Sequence, residues 1–190
     1  MSATTGVETE GKLAFWIYLM TDCILFASLF ATFMVLRGAT AGGPDGKEIF
    51  ELPFVFAETM VLLLSSLASG FALLAAHAGS KVATLRWLAV TGLLGAVFLG
   101  MELYEFNALV AEGHSWTKSA FLSSYFGLVG THGLHIFAGL VWLAGTWLYI
   151  FKRGLKGRLM SRLTMFTMFW HFLDIVWIGI FTIVYLLGVL

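Results

Sequence analysis

The chain has 190 residues, 59% of them hydrophobic and only 12% charged, with a formal net charge of zero. Soluble domains run at about 25% charged residues, so a chain with a mean hydropathy of +0.91 cannot hide its apolar surface in one core and must use lipid as solvent for much of it. Zero net charge argues against a nucleic-acid partner, and the lone Cys23 excludes a disulfide framework and a CxxC metal site.

Five segments reach the roughly 20 mostly apolar residues that a membrane-spanning helix needs. They are about 13–36, 54–76, 85–110, 120–151 and 163–190. The reading is therefore an all-α, polytopic five-helix bundle: a short tail at 1–12, then one membrane domain over 13–190. The tail carries Glu8 and Glu10 instead of a basic region, so the first span is expected to act as an uncleaved helix. Pro44 and Pro53 join Gly42, Gly43 and Gly46 in the first connection, which is loop chemistry. The last two spans are long enough to tilt or protrude.

Basic residues set the orientation. With five spans, Lys12, Lys81, Arg86, Lys152, Arg153, Lys156, Arg158 and Arg162 fall on one side, and only Arg37, Lys47 and Lys118 on the other. The first side is expected to be cytoplasmic, which puts the N-terminus in the cytoplasm and the C-terminus in the periplasm. The run Lys152, Arg153, Lys156, Arg158 and Arg162 reads as a topology signal and a contact for anionic lipid.

Each span also carries a polar stripe at helical spacing. Span one has Asp22. In span two Glu58, Ser65 and Ser69 share a line, and in span three Thr91, Gly95 and Glu102 do, with Glu105 a turn beyond. His132 and His135 are neighbours in span four; Thr164 aligns with His171, and Thr167 with Asp174, in span five. A bundle with these stripes inward satisfies all five helices. Gly92, Ala96 and Gly100, and Gly127, Gly130 and Gly133, repeat as small residues do where membrane helices approach closely. Histidine is the basic partner available at depth. The buried carboxyls are thus expected to be protonated, paired with His132, His135 or His171, or facing basic groups on another protein.

Several chemistries could use these groups. His132 or His135 opposite His171 could hold a b-type haem. Glu102, Glu105, His132 and His135 have the ligand types of a carboxylate–histidine metal centre but lack its Glu-x-x-His element. Scattered carboxylates and histidines are also the parts of a proton or ion path. Interhelical hydrogen bonding is the plainest use and takes the largest share. No nucleophile elbow, phosphate loop or zinc motif competes with it.

Three motifs in order, Glu102-Leu103-Tyr104-Glu105, Gly130-Thr131-His132-Gly133-Leu134-His135 and Trp170-His171-Phe172-Leu173-Asp174-Ile175-Val176-Trp177, resemble the subunit III family of haem–copper respiratory oxidases. The stretch from Phe15 to Cys23, with Glu58-Thr59, looks most like the branch of cytochrome bo-type ubiquinol oxidases. Five spans instead of the seven common in cytochrome c oxidase subunit III favour that branch, although five-helix cytochrome c oxidase forms also occur. The resemblance implies an accessory, cofactor-free chain in a proton-pumping quinol oxidase of a bacterial inner membrane. It further implies that haems and copper lie in a neighbouring large subunit I, that subunit II and a small subunit IV are further partners, and that phospholipid is bound. No catalytic, cofactor-binding or metal-binding residue is expected here. Asp22, Glu58, Glu102, Glu105, His132, His135, His171 and Asp174 are read as interhelical or lipid-cleft residues. The remaining readings are subunit III of a cytochrome c oxidase, a free-standing transporter, and a small b-type cytochrome.

Overall fold

The computed structural model describes residues 2–43, 49–155 and 159–189. Lys47, Lys156 and Arg158, together with Pro44 and Gly46, lie outside the described residues. Among the described residues there are five long apolar helices. They are α1 (Ser2–Leu36), α2 (Leu52–His77), α3 (Lys81–Ala111), α4 (Ala120–Arg153) and α5 (Leu159–Ile180). The last continues through a wider π-helical segment, Phe181–Leu186, into a final turn, Leu187–Val189.

Local chemistry sets the boundaries. Pro53 opens α2 in its first turn, where a missing N–H costs nothing. Ser80 and Ser119 cap α3 and α4 by accepting from the backbone N–H of Ala83 and Leu122 at 3.4 and 3.1 Å. Gly154 closes α4 at φ 74°, a conformation glycine adopts without strain. Caps lie outside the apolar stretches, so α2, α3 and α5 begin a few residues before the spans read from hydropathy. Helix α1 likewise starts at Ser2, well ahead of its apolar stretch from Gly11.

Helices α2 and α3 form a tight antiparallel hairpin, and α2, α3, α4 and α5 close a four-helix ring. Helix α1 lies outside the ring and packs chiefly on α4 and less on α5. The close approach of α3, α4 and α5 depends on two glycines. An added Cβ at Gly95 or at Gly139 would stand 2.7 Å from the Trp170 ring, so the indole fits only because both positions lack one. Of the regularly spaced small residues, Gly133 abuts the Glu102 carboxyl and Gly92 abuts Leu143, whereas Gly100 and Gly127 have nothing within 4 Å. Leu, Ile and Val side chains such as Leu74, Leu93, Leu134 and Ile175 point outward, where lipid can accept them.

The ring has two ends. At one, Lys81 Nζ donates to the Phe151 carbonyl oxygen at 2.9 Å, and Trp147 Nε1 donates to the Leu85 carbonyl at 3.1 Å. At the other, Phe121 N–H donates to the Ala39 carbonyl at 3.3 Å.

Candidate functional site

Near the second end the ring encloses a polar layer. Helix α2 contributes Glu58 and Thr59, α3 contributes Phe98, Glu102 and Glu105, α4 contributes Tyr125 and His132, and α5 contributes Trp177 and Tyr185. Trp177 organises it. Its ring lies 5.2 Å from the His132 imidazole and edge-on to Phe98 at 4.6 Å, and its Nε1 donates to Thr59 Oγ1 at 3.0 Å. The π-helical segment displaces the end of α5 enough to carry Tyr185 into the same layer. Tyr185 Oη donates to Glu105 Oε2 at 3.0 Å and lies 3.0 Å from Tyr125 Oη, which leaves Tyr125 as donor in that second bond. Phe50 covers the tyrosine pair at 4.7 and 5.1 Å.

Glu58 and His132 are 0% exposed and Glu102 is 1% exposed. Both Glu58 carboxyl oxygens, Glu102 Oε2 and both His132 ring nitrogens have no hydrogen-bond partner among the described residues. Buried polar groups are normally satisfied, so this cluster stands out from the rest of the fold. Above it, a cavity of about 210 Å³ opens between the start of α2 and the end of α3, with Glu51, Glu105 and Glu112 in its wall.

The other polar residues of the spans form two separate contacts. His135 Nε2 stands 3.7 Å from Asp22 Oδ2 across the α1–α4 seam, while its Nδ1 donates to the Thr131 carbonyl at 2.7 Å and its ring packs on Phe26. Among the described residues it is the one approach of a carboxylate to a basic side chain within 4 Å. His171 Nδ1 shares a hydrogen bond of 2.5 Å with Ser66 Oγ across the α2–α5 seam, with Asp174 a turn further along. His171 is exposed, not interior, and Asp174 Oδ1 is buried without a partner among the described residues. Beneath it, Trp170 Nε1 donates to Ser65 Oγ at 3.1 Å, and Ser65 donates onward to the Thr91 carbonyl at 2.9 Å. The eight polar residues thus occupy three places. Glu58, Glu102, Glu105 and His132 come together, Asp22 joins His135, and His171 lies beside Asp174.

At the first end, Lys152 and Arg153 close α4 and Arg162 lies in the opening turns of α5. A cavity of about 430 Å³ opens between these two helices, with Trp142 and Tyr149 on one wall and Leu159, Arg162 and Met165 on the other. Among the described residues no three His, Cys, Asp or Glu side chains are placed to hold a metal ion, and His135 lies apart from Glu102, Glu105 and His132, against Asp22.

Residues 2–189 match the family described as cytochrome c oxidase subunit III. The chain belongs to that family. It is 58% identical over 178 residues to the cytochrome bo(3) ubiquinol oxidase subunit 3 of Pseudomonas putida, covering 94% of this chain and 86% of the relative. It is 46% identical over 182 residues to the cytochrome c oxidase subunit 3 of Bacillus sp. (strain PS3), covering 94% and 88%. It is 45% identical over 176 residues to the quinol oxidase subunit 3 of Bacillus subtilis, covering 93% and 86%. All five helices of the fold fall within the subunit III match.

Sequence reasoning passed over Tyr125, Tyr185 and Ser66 and gave Trp170 and Trp177 no role. A usable signal was present. A tyrosine or tryptophan deep in an apolar span must find a partner for its O–H or N–H. What the sequence lacks is the π-helical offset, which decides that Tyr185 meets Tyr125 and Glu105.

Proposed function

We propose that this chain is the accessory, cofactor-free third subunit of a proton-pumping terminal ubiquinol oxidase in a bacterial inner membrane. Its partners are the large haem- and copper-bearing subunit I, subunit II and a small subunit IV. The observation that carries the quinol assignment is that the relatives at 58% and 57% identity are both named subunit 3 of a cytochrome bo(3) ubiquinol oxidase, whereas names for both donors occur among those at 45–46%.

The geometry supports a structural role. The three imidazoles of the spans are engaged at three different places: His132 against Trp177, His135 against Asp22, and His171 against Ser66. That dispersal does not form a bis-imidazole haem site. The tryptophan and serine bonds that lock α2 to α5 make a rigid wall, and rigid apolar walls suit a chain whose task is to hold a larger neighbour in place. The cavity between α4 and α5 suits an anionic phospholipid, with its head group at the Arg162 guanidinium and its acyl chains along Trp142 and Tyr149.

The test is to tag the chain, extract it in mild detergent and identify its companions. Co-purification with a large haem-bearing subunit, and oxygen uptake driven by ubiquinol and not by reduced cytochrome c, is the expected result. Uptake driven by cytochrome c would reassign the donor. A colourless chain recovered alone under the gentlest extraction would shift weight to a transporter.

A further inference from the structure

The polar layer is unlike the other polar contacts because three of its ionisable side chains, Glu58, Glu102 and His132, are shut off from the outer surface of the bundle. Glu58, Glu102 and His132 are enclosed by the four-helix ring, so the unpartnered atoms cannot be reserved for a neighbouring subunit. Whatever satisfies them must be small enough to sit inside the ring. Charge narrows it further. Glu58 stands within electrostatic reach of both Glu102 and Glu105, and no lysine or arginine forms an ion pair with any of them among the described residues. Three ionised carboxylates in one low-dielectric layer, with a single imidazole nearby, would carry an unopposed charge that burial strongly disfavours. Protons remove that charge, and water supplies the missing hydrogen bonds.

The layer has one polar exit. Glu105 lines the cavity with Glu51 and Glu112 and also accepts from Tyr185, which is bonded to Tyr125. Glu105 is thus the one carboxyl here that touches both the opening and the interior.

We propose that Glu58, Glu102 and His132 form a hydrated proton-holding site that exchanges protons with one face of the membrane through Glu105, Tyr185 and Tyr125. In each exchange an O–H bond breaks as the neighbouring oxygen or nitrogen receives a proton and releases another. Net charge in the layer is unchanged, and no electron moves. His132 packs on the Phe98 and Trp177 rings, which offer no onward polar partner, so the site holds protons and does not conduct them across the bilayer.

The experiment reads carboxylic acids by infrared spectroscopy in the intact purified complex as H₂O is replaced by D₂O. It does not use oxygen uptake, so its failure is distinguishable from failure of the oxidase assignment. The wild-type complex is expected to show protonated carboxyl bands that shift in D₂O, and Glu58→Gln should remove part of that signal. Tyr185→Phe should keep the band but slow its exchange on the order of tenfold, the cost of one lost hydrogen bond in the route. Glu102→Gln gives an independent reading of the same band should Glu58→Gln fail to assemble. Bands identical in wild type and both glutamine variants would overturn the proposal, as would wild-type exchange in Tyr185→Phe. Conversion of the acid band to carboxylate on adding sodium or calcium chloride would also overturn it and identify a cation site instead.

Discussion

Gly95 and Gly139 hold the Trp170 indole between them, and the ring has little freedom to move because Nε1 is bonded to Ser65. A methyl group at either position must push a pinned aromatic plane or separate two helices, an overpacking cost of about 1–3 kcal/mol. Gly95→Ala and Gly139→Ala are therefore expected to lower the thermal stability of the assembled complex, measured by the temperature at which the subunit dissociates. Gly100→Ala, with nothing within 4 Å, should leave that temperature unchanged. A second residue-scale prediction concerns His132. It packs against Trp177 with the two rings tilted by 32° and edge-on to Phe98, with no ligand-like partner. His132→Ala should leave the haem content of the complex at its wild-type value in a pyridine haemochrome assay, and lost haem would revive the cytochrome reading. The polar residues themselves were legible in the sequence because ionisable groups in apolar spans are rare. Their grouping was not. Helical spacing places Glu102 and Glu105 on one stripe, but it cannot say that His171 turns outward to Ser66 while His132 turns inward to Trp177.

Helix α5 touches α1, α2 and α4, and so decides most of the bundle. Its existence and approximate length were legible, because an apolar stretch longer than 20 residues leaves few alternatives. Its π-helical turn was not, since nothing in Phe181–Leu186 forces the wider winding locally; the Tyr185 contacts reward it. Asp174 tests what this helix does for assembly. Its Oδ1 is buried and unpartnered among the described residues, so if it were only an internal liability, Asp174→Leu would raise stability. If instead the exposed His171 and the adjacent carboxyl meet a polar group on a neighbouring subunit, the leucine variant should reduce the yield of assembled complex without altering the haem spectrum of what survives. The second outcome is expected. The α4–α5 cavity gives another prediction. Arg162→Ala should lower the anionic phospholipid retained per complex after detergent washing, measured by phosphate assay and lipid mass spectrometry, while a substitution at the exposed Lys118 on the opposite end should not.

At the scale of the whole molecule, the two ends of the bundle differ in charge in the way the sequence suggested, and the fold shows why the counting works. Five antiparallel crossings place the ends of α2 and α4 beside the beginnings of α3 and α5, so Lys81, Lys152, Arg153 and Arg162 gather at one end. Arg37 and Lys118 lie at the other, near the Phe121–Ala39 hydrogen bond. The gathering is a property of the fold, but which end faces the cytoplasm is set during insertion, where excess lysine and arginine are retained inside. The basic end is expected to be cytoplasmic and the carboxyl terminus, together with the Glu51–Glu105–Glu112 cavity, periplasmic. A phosphatase that folds only in the periplasm should be active when fused after Leu190 and inactive when fused in the turn between α2 and α3. A green fluorescent reporter that matures only in the cytoplasm should give the opposite pattern. Activity of the phosphatase in the α2–α3 turn would invert the bundle, and it would then move the proton-exchange opening to the cytoplasmic face.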